Sequence, residues 1–155
     1  MLISYSDGSS TYTNTYDALG NPLTYMGYTM TWGNGRQLAA VSQNGETVAT
    51  YTYDANGLRT SKTVDGVTYR YTYGNMGLLS IEKEDEDGNI SYIDYLYNPD
   101  GSLLGFRYLK WGSTTLLVDN IYYFVTGHGG DVLAILDSTG RVMVYSKFRI
   151  STKVL

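Results

Sequence analysis

Three groups of side chains in this chain have the types that do chemistry. His128 is the only histidine among 155 residues. Asp131 lies just after it, and Ser138 lies beyond the next apolar run. A hydrolytic triad needs such a trio, with the imidazole oriented by the acid and aimed at the hydroxyl. No nucleophile-elbow motif surrounds Ser138, and Gly127, Gly129 and Gly130 make the histidine's segment a flexible loop with an exposed side chain. The non-catalytic reading of His128 is therefore the stronger one. A lone histidine also gives no His-based metal site within one chain. Gly127-His128-Gly129-Gly130 lacks the Lys and Ser/Thr of a phosphate loop, and the residues after it read as a strand.

The second group is the acidic run Glu82-Lys83-Glu84-Asp85-Glu86-Asp87-Gly88-Asn89. Set against a calcium-binding EF-hand loop, Asp85, Asp87, Gly88 and Ile90 fall in register, and Asp94 takes the final acidic position. Lys83 then occupies the first ligand position, where a carboxylate is needed, and no helices flank the run. The plainer reading is a solvated hairpin tip whose charges discourage edge-to-edge strand pairing. No metal and no cofactor is expected.

The aromatic residues form the third group. Trp32, Tyr51, Tyr53, Tyr69 and Tyr71 are candidates for stacking on sugars, since each offers a flat apolar face and a polar group. Tyr51, Tyr53, Tyr69, Tyr71 and Tyr73 would line same-face ladders on neighbouring strands. The alternative is that they hold a sheet together. Cross-strand aromatic pairs contribute about 0.2–1 kcal/mol each, and tyrosine keeps its hydroxyl wet at a half-buried surface. Tyrosines fall at strand ends throughout, not in one cluster, which favours the structural role.

The elements that must position these residues are strands. The chain has 17 Tyr and 18 Gly, 2 Pro and no Cys. Tyrosine with β-branched residues and glycine-bearing turns favours sheet, and no segment reads as a helix. Tyr53-Asp54-Ala55-Asn56-Gly57-Leu58-Arg59 is a tight turn between two alternating runs. Asp54 caps the turn through its carboxylate, and Asn56-Gly57 tolerates positive φ. The pattern recurs at Tyr16-Asp17-Ala18-Leu19-Gly20, Tyr73-Gly74-Asn75-Met76-Gly77 and Tyr97-Asn98-Pro99-Asp100-Gly101, with a shortened copy at Trp32-Gly33-Asn34-Gly35-Arg36. The copies at Tyr16, Tyr73 and Tyr97 keep the aromatic and the glycine but vary the Asp and lose the Arg. Asp17, Gly20, Asp54, Gly57, Gly77 and Gly101 are thus read as structural turn residues. Asn44-Gly45, Asp65-Gly66 and Asp87-Gly88 are dipeptides of two-residue hairpin loops. Strands are expected at 60–64, 67–71, 90–97, 120–125, 131–136 and 141–148, about ten to fourteen in all, in one antiparallel sheet.

A net charge of −4 argues against nucleic acid, whose phosphates need a basic face. No run approaches the roughly 20 apolar residues of a membrane helix, and residues 1–5 do not read as a signal peptide. The absence of cysteine excludes disulfides and thiolate metal sites. It fits a bacterial secreted or surface protein, and many cytosolic ones as well. No linker divides the chain, so a single domain is expected.

The repeated Tyr-Asp-x-x-Gly turns resemble the YD repeats of bacterial Rhs and wall-associated toxin proteins and of animal teneurins. Tyr16–Asn21 and Tyr53–Arg59 are the best copies. The segment from Tyr122-Tyr123-Phe124 through Gly130-Asp131-Val132 to Ser138-Thr139-Gly140 resembles the Rhs repeat-associated core. The resemblance spans residues 12–148. It implies a spiral β-sheet that closes into a hollow shell around a C-terminal toxin. It divides the chain into degenerate repeats (1–119), a core-like segment (120–148) and a ragged end (149–155). A complete shell is far longer, and the expected self-cleavage segment and toxin do not follow, so the chain reads as a fragment of such a shell or as a degenerate gene remnant. The expected protein is an all-β, non-catalytic wall segment, secreted or at a bacterial surface, with its signal outside this chain. Its expected partners are neighbouring YD-repeat segments, a second copy or a toxin domain. The alternative is a carbohydrate- or cell-wall-binding module whose partner is a surface glycan.

Overall fold

A computed structural model describes residues 2–145. The described residues form fifteen strands and no helix. They are β1 (Ser4–Ser6), β2 (Thr11–Thr13), β3 (Thr15–Tyr16), β4 (Pro22–Tyr25), β5 (Tyr28–Gly33), β6 (Gln37–Gln43), β7 (Glu46–Tyr53) and β8 (Arg59–Val64), followed by β9 (Val67–Gly74), β10 (Gly77–Glu84), β11 (Ile90–Tyr97), β12 (Leu103–Trp111), β13 (Leu116–Thr126), β14 (Val132–Asp137) and β15 (Val142–Tyr145). The count exceeds the expected range because β1, β2 and β3 are only two or three residues long, too short for an alternating pattern to reveal. β1 and β2 pair with each other. The remaining thirteen strands follow chain order in one antiparallel sheet, with β3 and β15 at the ends of that order. The expected strand at 141–148 is seen as β15; its last residues, and the ragged end at 149–155, lie outside the described residues.

Two compact units are distinguished, Met1–Arg70 and Tyr71–Leu155, with the boundary inside β9. In the first, the two faces are told apart most clearly along the second half of β7. Along β7, Thr47, Thr50 and Thr52 are exposed, while Ala49 is buried and Tyr51 and Tyr53 are half-buried. Hydroxyls pair across strands on the threonine side: Thr52 with Ser61 at 2.7 Å and Thr63 with Thr68 at 3.0 Å. Met30 faces Val41, Val41 faces Ala49, Ala49 faces Val64, and Val64 faces Val67, so one apolar row crosses five strands. Such a sheet has one apolar face and one polar one.

In the second unit the aromatic row is denser. Tyr95 pairs with Phe106, and Phe106 with Tyr122. The Phe106 ring lies 5.0 Å from Tyr122 and 5.6 Å from Phe124. The opposite face carries polar groups across four strands. Ser80 donates to Asp94 at 2.6 Å, Asp94 pairs with Arg107, and Arg107 grips Asp119 with two bonds of 2.7 and 2.6 Å.

Neither unit has a deep core. Among the described residues the buried apolar side chains are Ala49 and Ala134, and no large side chain is fully buried. Large apolar side chains such as Leu117 and Leu133 are exposed. A single sheet layer accounts for this, because a face is buried only when another layer covers it.

Candidate functional site: the hairpin turns and the aromatic face

One turn geometry recurs. Asp54 N donates to Leu58 O at 2.9 Å, and Gly57 N donates back to Asp54 O at 3.1 Å. The same two bonds close residues 17–21, 85–89, 98–102, 127–131 and 137–141. The glycine in each has φ between 77° and 85°, a left-handed conformation that costs an L-residue roughly 1–2 kcal/mol. This is why glycine is the invariant member of the motif. In four of these turns the leading aspartate caps its own loop. Asp54 Oδ1 accepts from the amides of Asn56 and Leu58 at 2.9 Å each. Asp17, Asp85 and Asp137 repeat the arrangement. The Asn21 side chain bonded to Asp17, the Asn89 side chain bonded to Asp85 and the Thr139 hydroxyl bonded to Asp137 hold those carboxyls below the usual range.

Three sequence expectations change here. Asp87-Gly88 is not a two-residue loop: it belongs to the longer turn capped by Asp85, and only Gly88 has positive φ. The calcium reading loses its ligand geometry with it, because Asp85 Oδ1 accepts from Asp87 N, Asn89 N and Asn89 Nδ2. Gly127–Gly130 is the same closed turn and not a loose loop, since Gly127 N donates to Asp131 O at 2.8 Å. The Tyr73 copy departs the other way. Its strands run to Gly74 and resume at Gly77, which leaves a two-residue loop with Gly77 at φ 115°. Asn44-Gly45 and Asp65-Gly66 do form two-residue loops with both residues at positive φ, and Met26-Gly27 adds one that the sequence reading passed over.

A second recurrent feature was not legible. After five of these turns the ladder slips by one residue, always three positions beyond the glycine. The skipped residues are Leu23, Thr60, Leu104, Leu133 and Met143. Each slip is a bulge that adds twist and resets which face the following side chains occupy. At the turns the aromatic residues hold the preceding strand. Trp32 Nε1 donates to Pro22 O at 2.7 Å, Tyr53 OH to Leu38 O at 3.1 Å, and Tyr97 OH to Leu78 O at 2.7 Å.

The candidate sugar platforms fall on these rows. Tyr51 faces Lys62, and Lys62 faces Tyr69. The Lys62 ammonium stands 4.8 Å from the centre of the Tyr69 ring, and the Arg59 guanidinium stands 4.8 Å from Tyr51 and 6.0 Å from Tyr53. Those contacts place a cation over one face of each of these rings. Tyr71 lies two residues beyond Tyr69 on β9 and is half-buried. His128 is exposed at the tip of the 127–131 turn, while Ser138 lies in the turn at the other end of β14. Six residues of strand separate the two turns by roughly 20 Å, so no triad assembles. Among the described residues no group of three or more His, Asp or Glu side chains could hold a metal ion.

Consecutive antiparallel hairpins, closed by one Asp/Gly turn and carrying aromatic rows, define a hairpin-repeat β protein. No protein-family profile matches the chain. It is 34% identical over 131 residues to the tRNA3(Ser)-specific nuclease WapA of Bacillus spizizenii, and 35% identical over 131 residues to the tRNA nuclease WapA of Bacillus subtilis. Each match covers 83% of this chain and 5% of the relative, so the chain spans a small fraction of those proteins. Its fold matches the crystal structure of TcdB2–TccC3–Cdc42 with a TM-score of 0.58, over 83% of this chain and 7% of that one, at 18% identity. The chain is an Rhs/YD-repeat protein, related to the Rhs-type toxins.

Proposed function

We propose that this chain is a non-catalytic wall segment of an Rhs-type toxin, a single repeat domain that helps enclose or present a toxic domain carried elsewhere in the assembly. The observation behind this reading is where the polar chemistry goes. The aspartates of the recurrent turns bond their own backbone, and the aromatic hydroxyl and indole groups at strand ends bond the neighbouring strand. Hairpins that interact mainly with their neighbours extend into a wall by repetition, and the sheet's exposed apolar side chains suit a surface completed by more of the same wall or by its contents. This stretch matches only 5% of each relative, and our reading puts the tRNA cleavage named for them outside it. We place the segment in a secreted or surface-bound bacterial protein.

The test uses the purified chain alone. Incubated with tRNA, it should leave the RNA intact. In light scattering its mean mass should rise with concentration as copies substitute for missing neighbours. Cleavage of the tRNA, or a compact monomer at every concentration, would contradict the proposal.

A further inference from the structure

A pocket of about 260 Å³ lies where the 85–89 turn meets the loop after β12, lined by Gly88, Ile90, Tyr92, Trp111, Gly112 and Ser113. Tyr92 on β11 and Trp111 on β12 share a sheet face. Tyr92 is opposite Leu109, and Trp111 follows two residues later on the same strand, which places the aromatic pair on a diagonal within reach of each other. Trp111 is one of the exposed large side chains. Both rings line the cavity. The small residues Gly88, Gly112 and Ser113 leave its rim open. The wall that contributes Gly88 carries three successive carboxylates, Asp85, Glu86 and Asp87. Asp85 is engaged in its turn, and Glu86 and Asp87 are exposed beside it.

We propose that this pocket binds an organic cation, a guanidinium or alkylammonium group, held against the Trp111 and Tyr92 rings and attracted by the acidic turn. Aromatic faces attract cations, tryptophan most strongly, and the adjoining carboxylates set the sign of the local field. Two aromatic walls with a neutral rim would suit a sugar equally well; the acidic turn selects the cation. This site is separate from the wall function and stands or falls independently of it. The cation has two sources, a small free molecule or an arginine or lysine side chain of a polypeptide.

The test follows the two tryptophan indole N–H resonances of the intact chain by NMR, assigned with Trp111→Phe. Tetramethylammonium and N-acetyl-arginine amide are titrated as small cations, an arginine-containing hexapeptide as the polypeptide source, and a neutral tetrasaccharide as control. The Trp111 signal should shift saturably with the cations while the Trp32 signal stays still. Tighter binding of the hexapeptide would identify a polypeptide ligand, and equal binding a small molecule. Glu86→Gln combined with Asp87→Asn leaves the Asp85 cap in place and should weaken binding at least about threefold. Raising salt from about 20 to about 300 mM should weaken it similarly. No Trp111 shift with any cation, an unchanged affinity in the double variant, or an equal shift with the neutral sugar would each overturn the proposal.

Discussion

Gly105 offers the sharpest test of how the strands are held. It follows the skipped residue Leu104 and pairs with Tyr123 on β13. A Cβ built there would stand 2.1 Å from the carbonyl oxygen of Tyr122 and 3.0 Å from the Tyr122 carbonyl carbon and the Tyr123 Cα. An ordinary contact begins near 3.4 Å, so the oxygen would have to withdraw about 1.3 Å. The obstructing atoms are backbone in the β12–β13 ladder and cannot rotate away. A retreat of that size carries a hydrogen bond well beyond its normal 2.7–3.2 Å. Losing one or two ladder bonds costs about 1 kcal/mol each, and overpacking adds about 1–3 kcal/mol. Gly105→Ala should therefore destabilise by about 3 kcal/mol or more. Gly101→Ala is the control. Gly101 has φ 83° and nothing within 4 Å of a new Cβ, so only backbone strain of about 1–2 kcal/mol applies. At about 2–4 °C per kcal/mol for a chain of this size, thermal melting followed by circular dichroism should fall by about 6–12 °C for Gly105→Ala and about half that for Gly101→Ala. Equal shifts, or a smaller one for Gly105→Ala, would refute the steric reasoning.

Acid should loosen the turns. The carboxyls of Asp17, Asp85 and Asp137 titrate below their ordinary 3.8 because of the hydrogen bonds they accept. Their stabilisation is therefore present above that value and lost as pH falls through the lowered folded values. Melting temperature should be level from about pH 7 to 5 and decline below about pH 4; a steady or rising value in acid would count against the caps. Tyr97→Phe removes the 2.7 Å bond to Leu78 O and should cost about 1 kcal/mol, read as a lower denaturation midpoint, with an unchanged midpoint speaking against the strand-holding role. His128→Ala should leave the melting temperature within about 2 °C, because substitutions at an exposed turn tip rarely exceed about 0.5 kcal/mol. A larger loss would show that the imidazole has a structural task.

Much of this protein is readable residue by residue, and the physics of the turn explains why. A hairpin loop is decided within about five residues, so Asp54 and Gly57, Asn44-Gly45 and Asp65-Gly66 announce their turns without help from the rest of the chain. Alternation likewise marks β11 as residues 90–97 from its own sequence. Other features depend on partners far along the chain. Nothing near Gly105 reveals the Tyr122 carbonyl, because that oxygen arrives with another strand. The slips at Leu23, Thr60, Leu104, Leu133 and Met143 are properties of paired strands, and each moves the following side chains to the opposite face. They decide which tyrosines share a row and which ring faces Arg59 and Lys62 cover. The pocket at Tyr92 and Trp111 joins two turns that are not consecutive in the chain, and only the register of β11 against β12 brings them together. The sequence by itself determined where the chain reverses, since φ and capping are local. Tertiary structure alone decided which side chains meet, because register is set between strands and a one-residue slip inverts it.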